Sequence, residues 1–220
     1  MKKFFAMIAM VLPLVAMAQS QKDNITLPAS TTTFQMAAEL SRYGYANNDA
    51  LSLLQAARIA IREGYSVDQK TKKEGTEGGQ ATEPGAKKET TMTLDATKLL
   101  DDAAAMAGKD NALLAMIADA RRQIKRGGPN GYVVSSVAAG GTDRYTAVFR
   151  GGENAIVMVI GDGDTDLDLY IYDENGNLIT YDNDYTDNCV CTFTPRWTGT
   201  FVIKIVNRGR VYNNYVLRTN

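Results

Sequence analysis

The stretch "GDGDTDLDLYIYDENGNLITYDNDYTDN", residues 161–188, decides how this chain is read. Nine of the chain's 25 acidic residues fall within it, although the formal net charge of all 220 residues is −1, so carboxylate has been gathered locally rather than spread. The acidic residues alternate with apolar ones. Leu167, Leu169 and Ile171 share one side of an extended segment and Asp166 and Asp168 the other, because successive strand side chains point to opposite faces. "DENGN" then supplies a reversal. A three-residue loop of Glu174, Asn175 and Gly176, with Gly176 in the left-handed conformation, makes Asp173 face Asn177. Counting outward, Ile171 faces Ile179 and Leu169 faces Tyr181 on one side, while Asp168 faces Asp182 and Asp166 faces Asp184 on the other. A two-residue Asn-Gly loop puts Leu169 opposite Asp182 and mixes apolar with acidic residues, so the longer loop is expected.

Opposed like charges destabilise a sheet and call for compensation. Ca²⁺ is the simplest candidate, since it takes six to eight oxygen ligands and suits carboxylates. Asp166, Asp168, Asp182 and Asp184 are the candidate ligands, with Asp164 or Asp187 from the adjoining loops. The alternative is a fan of solvated carboxylates that keeps a sheet edge soluble. "DGDTDLD" starts like an EF-hand loop but lacks the required Gly and the Glu at position twelve, which excludes that reading.

Outward from the acidic hairpin the same period continues. "GYVVSSV", "RYTAVFR", "NAIVMVI", "DLDLYIY", "NLITY", "CVCTFT", "TFVIKIV" and "VYNNYVLRT" predict about eight strands over residues 131–220 and an antiparallel β-sandwich. Cys189 and Cys191, the only cysteines, share a strand face beside Phe193. Their spacing lies near the upper limit for a disulfide, so buried thiols and a strained local bridge both remain open. Trp197 is expected in the core, as tryptophan usually is. Tyr170, Tyr172, Tyr181 and Tyr185, with Trp197, are the candidates for an aromatic contact surface.

Upstream the period becomes helical. Residues 33–64 read as one helical hairpin, broken at Gly44 to Asn48, capped by Asn48 or Asp49 and stopped at Gly64; residues 94–127 read as a second, broken near Gly108 and capped by Asp110. "NDALSLLQAARIAIREG" and "DNALLAMIADARRQIKRG" resemble each other and, weakly, tetratricopeptide-like repeats, with a four-helix bundle as the alternative. Residues 65–93, rich in Lys, Glu, Gly and Thr, read as a disordered linker between the hairpins. The fold class expected is α+β in two domains, a helical region over 19–127 and a sandwich over 131–220.

The first residues, "MKKFFAMIAMVLPLVAMAQS", place Lys2 and Lys3 before an apolar run and Ala16-Met17-Ala18 before Gln19, the pattern of a secretory signal peptide over residues 1–18. The run is too short to span a bilayer as a helix, which takes roughly 20 residues. Export is therefore expected, to the periplasm, the cell surface or the medium, without membrane insertion after cleavage. Histidine is absent, which removes Ser-His-Asp and Cys-His catalysis and every His-containing zinc site. No G-x-S-x-G nucleophile motif appears. The near-neutral charge offers no basic field for nucleic acid.

The last 80 or so residues resemble the bacterial pre-peptidase C-terminal domain. The resemblance rests on Asp143-Arg144-Tyr145, Gly151-Gly152-Glu153, Asp166-Leu167-Asp168-Leu169-Tyr170, the Asn175-Gly176 hairpin, Thr198-Gly199-Thr200-Phe201 and Tyr215-Val216-Leu217. It implies a jelly-roll-like sandwich, often appended to exported enzymes without being their catalyst, and related collagen-binding modules bind calcium and matrix protein. No peptidase domain precedes the sandwich here. The function expected is an exported, non-catalytic protein that binds an unidentified protein or extracellular polymer. A cell-envelope assembly subunit using the hairpins, and a small carboxylate-dependent hydrolase, are the alternatives.

Overall fold

The structure, a computed structural model, describes residues 29–67, 70–80, 87, 91–124 and 130–220; the signal peptide lies outside the described residues. The molecule is α+β; the described residues form four helices in the N-terminal part and two largely antiparallel sheets. All eight strands read from residues 131–220 form: β3 (Asn130–Val137), β4 (Ala139–Phe149), β5 (Ala155–Gly161), β6 (Leu167–Tyr172), β7 (Leu178–Asp182), β8 (Asn188–Phe193), β9 (Gly199–Asn207) and β10 (Asn213–Thr219). Alternation on these strands builds the inner core. Leu167, Leu169 and Ile171 of β6 meet Val157 and Val159 of β5, Ile203 and Ile205 of β9, and Cys189 and Cys191 of β8. Both cysteines are buried thiols with no disulfide between them, and Cys189 Sγ donates to the Leu167 carbonyl at 3.0 Å.

The segment read as a linker contributes two further strands, β1 (Tyr65–Val67) and β2 (Lys72–Gln80), one to each sheet. The sheet orders are β1-β3-β10-β5-β8 and β2-β4-β9-β6-β7. β1 runs parallel to β3, and β2 antiparallel to β4. β2 escapes a reading by hydropathy because it is an edge strand whose nine residues are all exposed, so backbone pairing and polar side-chain contacts, among them Glu74 to Arg144 at 2.5 Å, hold it rather than apolar burial. Lys73 Nζ lies 2.6 Å from Oδ2 of Asp143, and Thr76 donates to the same carboxylate. Asp143 is fully buried and also accepts from the Tyr215 hydroxyl at 2.5 Å, with Tyr145 and Tyr215 hydroxyls 2.6 Å apart. The sandwich is thus wider than residues 131–220.

The helices are α1 (Ala29–Asn47), α2 (Ala50–Glu63), α3 (Ala96–Ala107) and α4 (Asn111–Arg122). Asp49, Asp95 and Asp110 cap the last three by accepting first-turn amides, and Gly64 ends α2 at φ 65°. The first break falls at Asn48 and Asp49, the C-terminal end of the expected Gly44 to Asn48 stretch. Gly44 lies inside α1, where a Cβ would come within 2.5 Å of Leu53 Cδ2, so the missing side chain sets the α1–α2 approach. Leu53 and Leu54 of α2, Leu99 and Leu100 of α3 and Ile117 of α4 share one core, which joins the two hairpins.

α1 also joins the helices to the sandwich. β5 is buried along its entire length because the core takes one face and α1 covers the other. Phe34, Ala37 and Ala38 pack with Met158 and Ile160 of β5 and Val216 of β10. Phe34 meets Tyr65 edge to face at 5.4 Å, and the Arg218 guanidinium lies over both rings. No helix among the described residues is long and apolar enough to cross a membrane. Phe34→Ala is expected to cost about 3–5 kcal/mol in urea unfolding, the range for a fully buried aromatic. Tyr43→Ala, at an exposed position of the same helix, should change stability by about 0.5 kcal/mol or less.

Candidate functional site

The acidic hairpin forms with the expected turn but not the expected register. Asp173 N–H donates to the Asn177 carbonyl at 2.9 Å, and Gly176 adopts φ 82°. The Asp173 carboxylate accepts from Asn175 N–H and from both the backbone and the side chain of Asn177; these bonds, that of the Asn177 side chain foremost, lower its pKa. Tyr172 pairs with Leu178. Ile171 then pairs with Thr180, leaving Ile179 as a bulge. Beyond it every pair is displaced by one: Tyr170 faces Tyr181 and Leu169 faces Asp182. A one-residue slip exchanges the faces of a strand.

The four candidate ligands consequently do not converge. Asp182 turns inward, buried, and its Oδ2 accepts the Val190 amide at 2.9 Å. Asp168 points outward, where the Arg208 guanidinium holds one oxygen at 2.6 Å. Asp184 accepts from the amide and hydroxyl of Thr186 at 3.0 and 2.6 Å. Asp166 keeps a buried oxygen, Oδ1, without a hydrogen-bond partner among the described residues. Burial raises its pKa, helped by the charges of Asp168 and Asp184. Of the flanking acids, Asp162 and Asp164 are held by Lys87, and Asp187 lies 3.8 Å from Arg42. Among the described residues no group of three or more His, Cys, Asp or Glu is placed to hold a metal ion. The donor set therefore does not fit a four-aspartate calcium site, and the repulsion that motivated one is relieved by the bulge and by the chain's own cations and amides.

The slip that separates the carboxylates brings aromatic rings together on the outer face of the second sheet. Tyr170 and Tyr181 stack at 5.9 Å with planes 22° apart. On the adjacent β9, Lys204 lies 5.4 Å from the Tyr172 ring. Arg208 Nη2 is 3.3 Å from the Tyr170 hydroxyl, which donates to Asp168 at 3.0 Å. Three tyrosines, two cations and a carboxylate thus occupy one half-exposed sheet face, with Leu178 exposed at its edge. Tyr185 is 97% exposed in the loop after β7, away from this face. Trp197 is not a core residue. It is 40% exposed and lays its ring on Phe201 at 6.1 Å, because it follows β8 at the end of the sandwich. Arg208 and Lys87 escape a reading of sequence since each meets its aspartates only through strand pairing or chain reversal across 40 and 75 residues.

No family model matches this sequence, and no curated protein matches it. Among solved structures the chain is similar to the pre-peptidase C-terminal domain of a collagenase from Bacillus anthracis, at 17% identity over 41% of this chain and 89% of that one, with a TM-score of 0.37. It is also similar to the Yersinia pseudotuberculosis-derived mitogen, at 12% identity, 41% and 84% coverage and a TM-score of 0.33. A third is Aeromonas hydrophila PliG, a periplasmic inhibitor of g-type lysozyme, at 16% identity, 41% and 86% coverage and a TM-score of 0.32. The first carries the domain type that the C-terminal sequence resembles.

The raised Asp166 pKa has a definite sign. The folded state binds this proton more tightly than the unfolded chain, so the ionised carboxylate costs stability above the raised value, and the cost vanishes below the ordinary 3.8. Asp166→Asn should therefore stabilise the protein at neutral pH by about 0.5 kcal/mol after allowance for solvent screening, roughly 1–2 °C in Tm, with no gain below the ordinary carboxylate range. Thermal unfolding from neutral pH to acid reads this, and millimolar calcium added to the wild type at neutral pH should leave Tm unchanged.

Proposed function

We propose that this chain is an exported, non-catalytic binding protein whose sandwich engages an extracellular protein through the Tyr170, Tyr172 and Tyr181 face. The observation that carries the reading is the tyrosine stack beside Lys204 and Arg208 on a rigid sheet. Tyrosine gives large contact area at little entropic cost, and Tyr and Arg dominate the energetic centres of protein interfaces. The β6–β9 and β6–β7 pairings set the spacing of these side chains before any partner arrives, so little ordering is lost on binding. Export rests on the Lys2-Lys3 and Ala16-Met17-Ala18 pattern, and the absence of catalysis on the lack of histidine and of a nucleophile motif.

A second reading, an envelope assembly subunit contacting partners through its helices, is favoured by a separate groove. Met36, Leu40, Tyr43 and Asn47 of α1 face Asp162–Asp164 across an open space of about 590 Å³, with Met36 and Tyr43 about half exposed. The two readings make different demands of the same experiment. Immobilised mature protein is probed with soluble extracellular proteins and, separately, with cell-envelope polysaccharides. A protein ligand is expected, with affinity falling about tenfold or more in Tyr170→Ala/Tyr181→Ala while Tm holds. A polysaccharide ligand overturns the partner class, and a protein ligand lost with Tyr43→Ala instead assigns binding to the helices.

A further inference from the structure

Lys87 is almost completely enclosed. Its side chain is 7% exposed, and the two carboxylates that meet its ammonium are more deeply buried, Asp162 at 0% and Asp164 at 3%. Nζ contacts Oδ2 of Asp162 and lies 2.7 Å from Oδ2 of Asp164, with the Tyr212 ring centroid 4.5 Å away on another side. The sandwich builds this pocket with its own groups. Asn213 is fully buried, accepts the Asp162 amide at 3.3 Å and donates to Thr165 Oγ1 at 2.9 Å, which fixes the loop between β5 and β6.

The two aspartates are not equivalent. Asp162 receives a backbone donor on each oxygen, Asn214 N–H on Oδ2 at 2.8 Å and Asp164 N–H on Oδ1 at 3.3 Å. Donors so placed withdraw electrons from Cγ and stabilise negative charge that develops on its oxygens, as an oxyanion hole does. Burial also holds the Asp162 carboxyl above its ordinary range, against the pull of Lys87. A primary amine touching a polarised carboxyl, with a second carboxylate on the same nitrogen to carry protons, is the donor set for amide condensation.

We propose that Lys87 Nζ and Asp162 Cγ join in an intramolecular isopeptide bond, with Asp164 as the proton carrier. Asp164 first relays one proton from the Lys87 ammonium to Asp162, leaving a neutral amine and a carboxylic acid. The amine lone pair then forms the N–Cγ bond while the carbonyl π pair moves onto oxygen. Asp164 takes a proton from the nitrogen and returns it to the departing hydroxyl, the Cγ–O bond breaks with its electron pair on oxygen, and one water leaves. The products are a neutral amide and the Asp164 carboxylate, so charge and atoms balance without an oxidant or a co-reactant.

Proximity lowers the barrier to attack. Groups held in contact reach effective molarities of about 10⁵–10⁸ M, far above the concentration of the water that opposes condensation. Burial disfavours the ammonium, but the two carboxylates outweigh it, so the starting state is the ion pair and the proton relay must precede attack. Lys73 and Asp143 provide an internal contrast. Their contact is 2.6 Å, but Lys73 is one-third exposed, its other bond goes to Ser135 Oγ at 2.9 Å, and among the described residues no second carboxylate meets its ammonium to carry protons, so that pair stays ionic.

Peptide mapping of the purified full-length protein by tandem mass spectrometry tests the assignment. The expected result is a branched species joining the Lys87 peptide to the Asp162 peptide, lighter than their sum by one water, and absent from Lys87→Arg and from Asp164→Ala. Unlinked peptides of full mass in the wild type overturn it. So does a water loss confined to the Asp162-Gly163 peptide and retained in Lys87→Arg, since that is a succinimide and needs no lysine.

Discussion

The bulge at Ile179 is the constraint on which the tyrosine face depends. A single unpaired residue on β7 moves Asp182 from the outer face of the sheet to the inner one and brings Tyr181 from the inner face to the outer, opposite Tyr170. Without it the outer face would carry opposed aspartates. With it the same strands carry stacked rings, and the displaced carboxylate caps the amide of Val190 on the neighbouring sheet. The residual charges are then matched singly, Asp168 by Arg208 and Asp187 by Arg42. Local acidity in this segment is a feature of loops and strand ends wired into the fold, and the proposed binding surface is the tyrosine face.

Helices and sandwich form one body because β5 is apolar on both sides. A strand with one face on the core and the other in water alternates, whereas "AIVMVI" does not, and its second face needs a cover. α1 supplies that cover through Phe34 and its alanines, and the small residues let the helix approach the sheet closely. The segment between the hairpins then threads both sheets, giving β1 to one and β2 to the other. The tyrosine face therefore stands on a support whose two sheets and four helices share continuous cores, which keeps the rings in place before a partner arrives.

What was legible in the sequence follows from what is local or periodic. Most of the eight strands of residues 131–220 declare themselves by alternation and β5 by its unbroken apolar run, the 173–177 turn by its Asn-Gly, and the helix starts by Asp49 and Asp110. The register did not, since a bulge adds a residue without changing any local preference: Ile179 is as good a strand residue paired as unpaired. Choosing the register that grouped the aspartates assumed that a strand keeps one pairing to its end. β2 was missed for a different reason. Its sequence, "KKEGTEGGQ", has no apolar face to bury, and it persists through backbone pairing to β4 and the Lys73 and Thr76 contacts with Asp143. Gly44 belongs to the expected break, yet inside α1 its role is to admit Leu53. Trp197 is of a residue type usually buried, but its place at a sandwich end leaves it 40% exposed.

Cross-strand nuclear Overhauser effects across β6 and β7 test the central claim most directly. The slipped register predicts backbone contacts between Tyr170 and Tyr181 and between Leu169 and Asp182, together with ring-to-ring contacts from the tyrosine pair. Backbone contacts between Asp168 and Asp182 and between Leu169 and Tyr181 would contradict it: the aspartates would then oppose one another, the tyrosine stack would not exist, and a cation would again be needed at the hairpin.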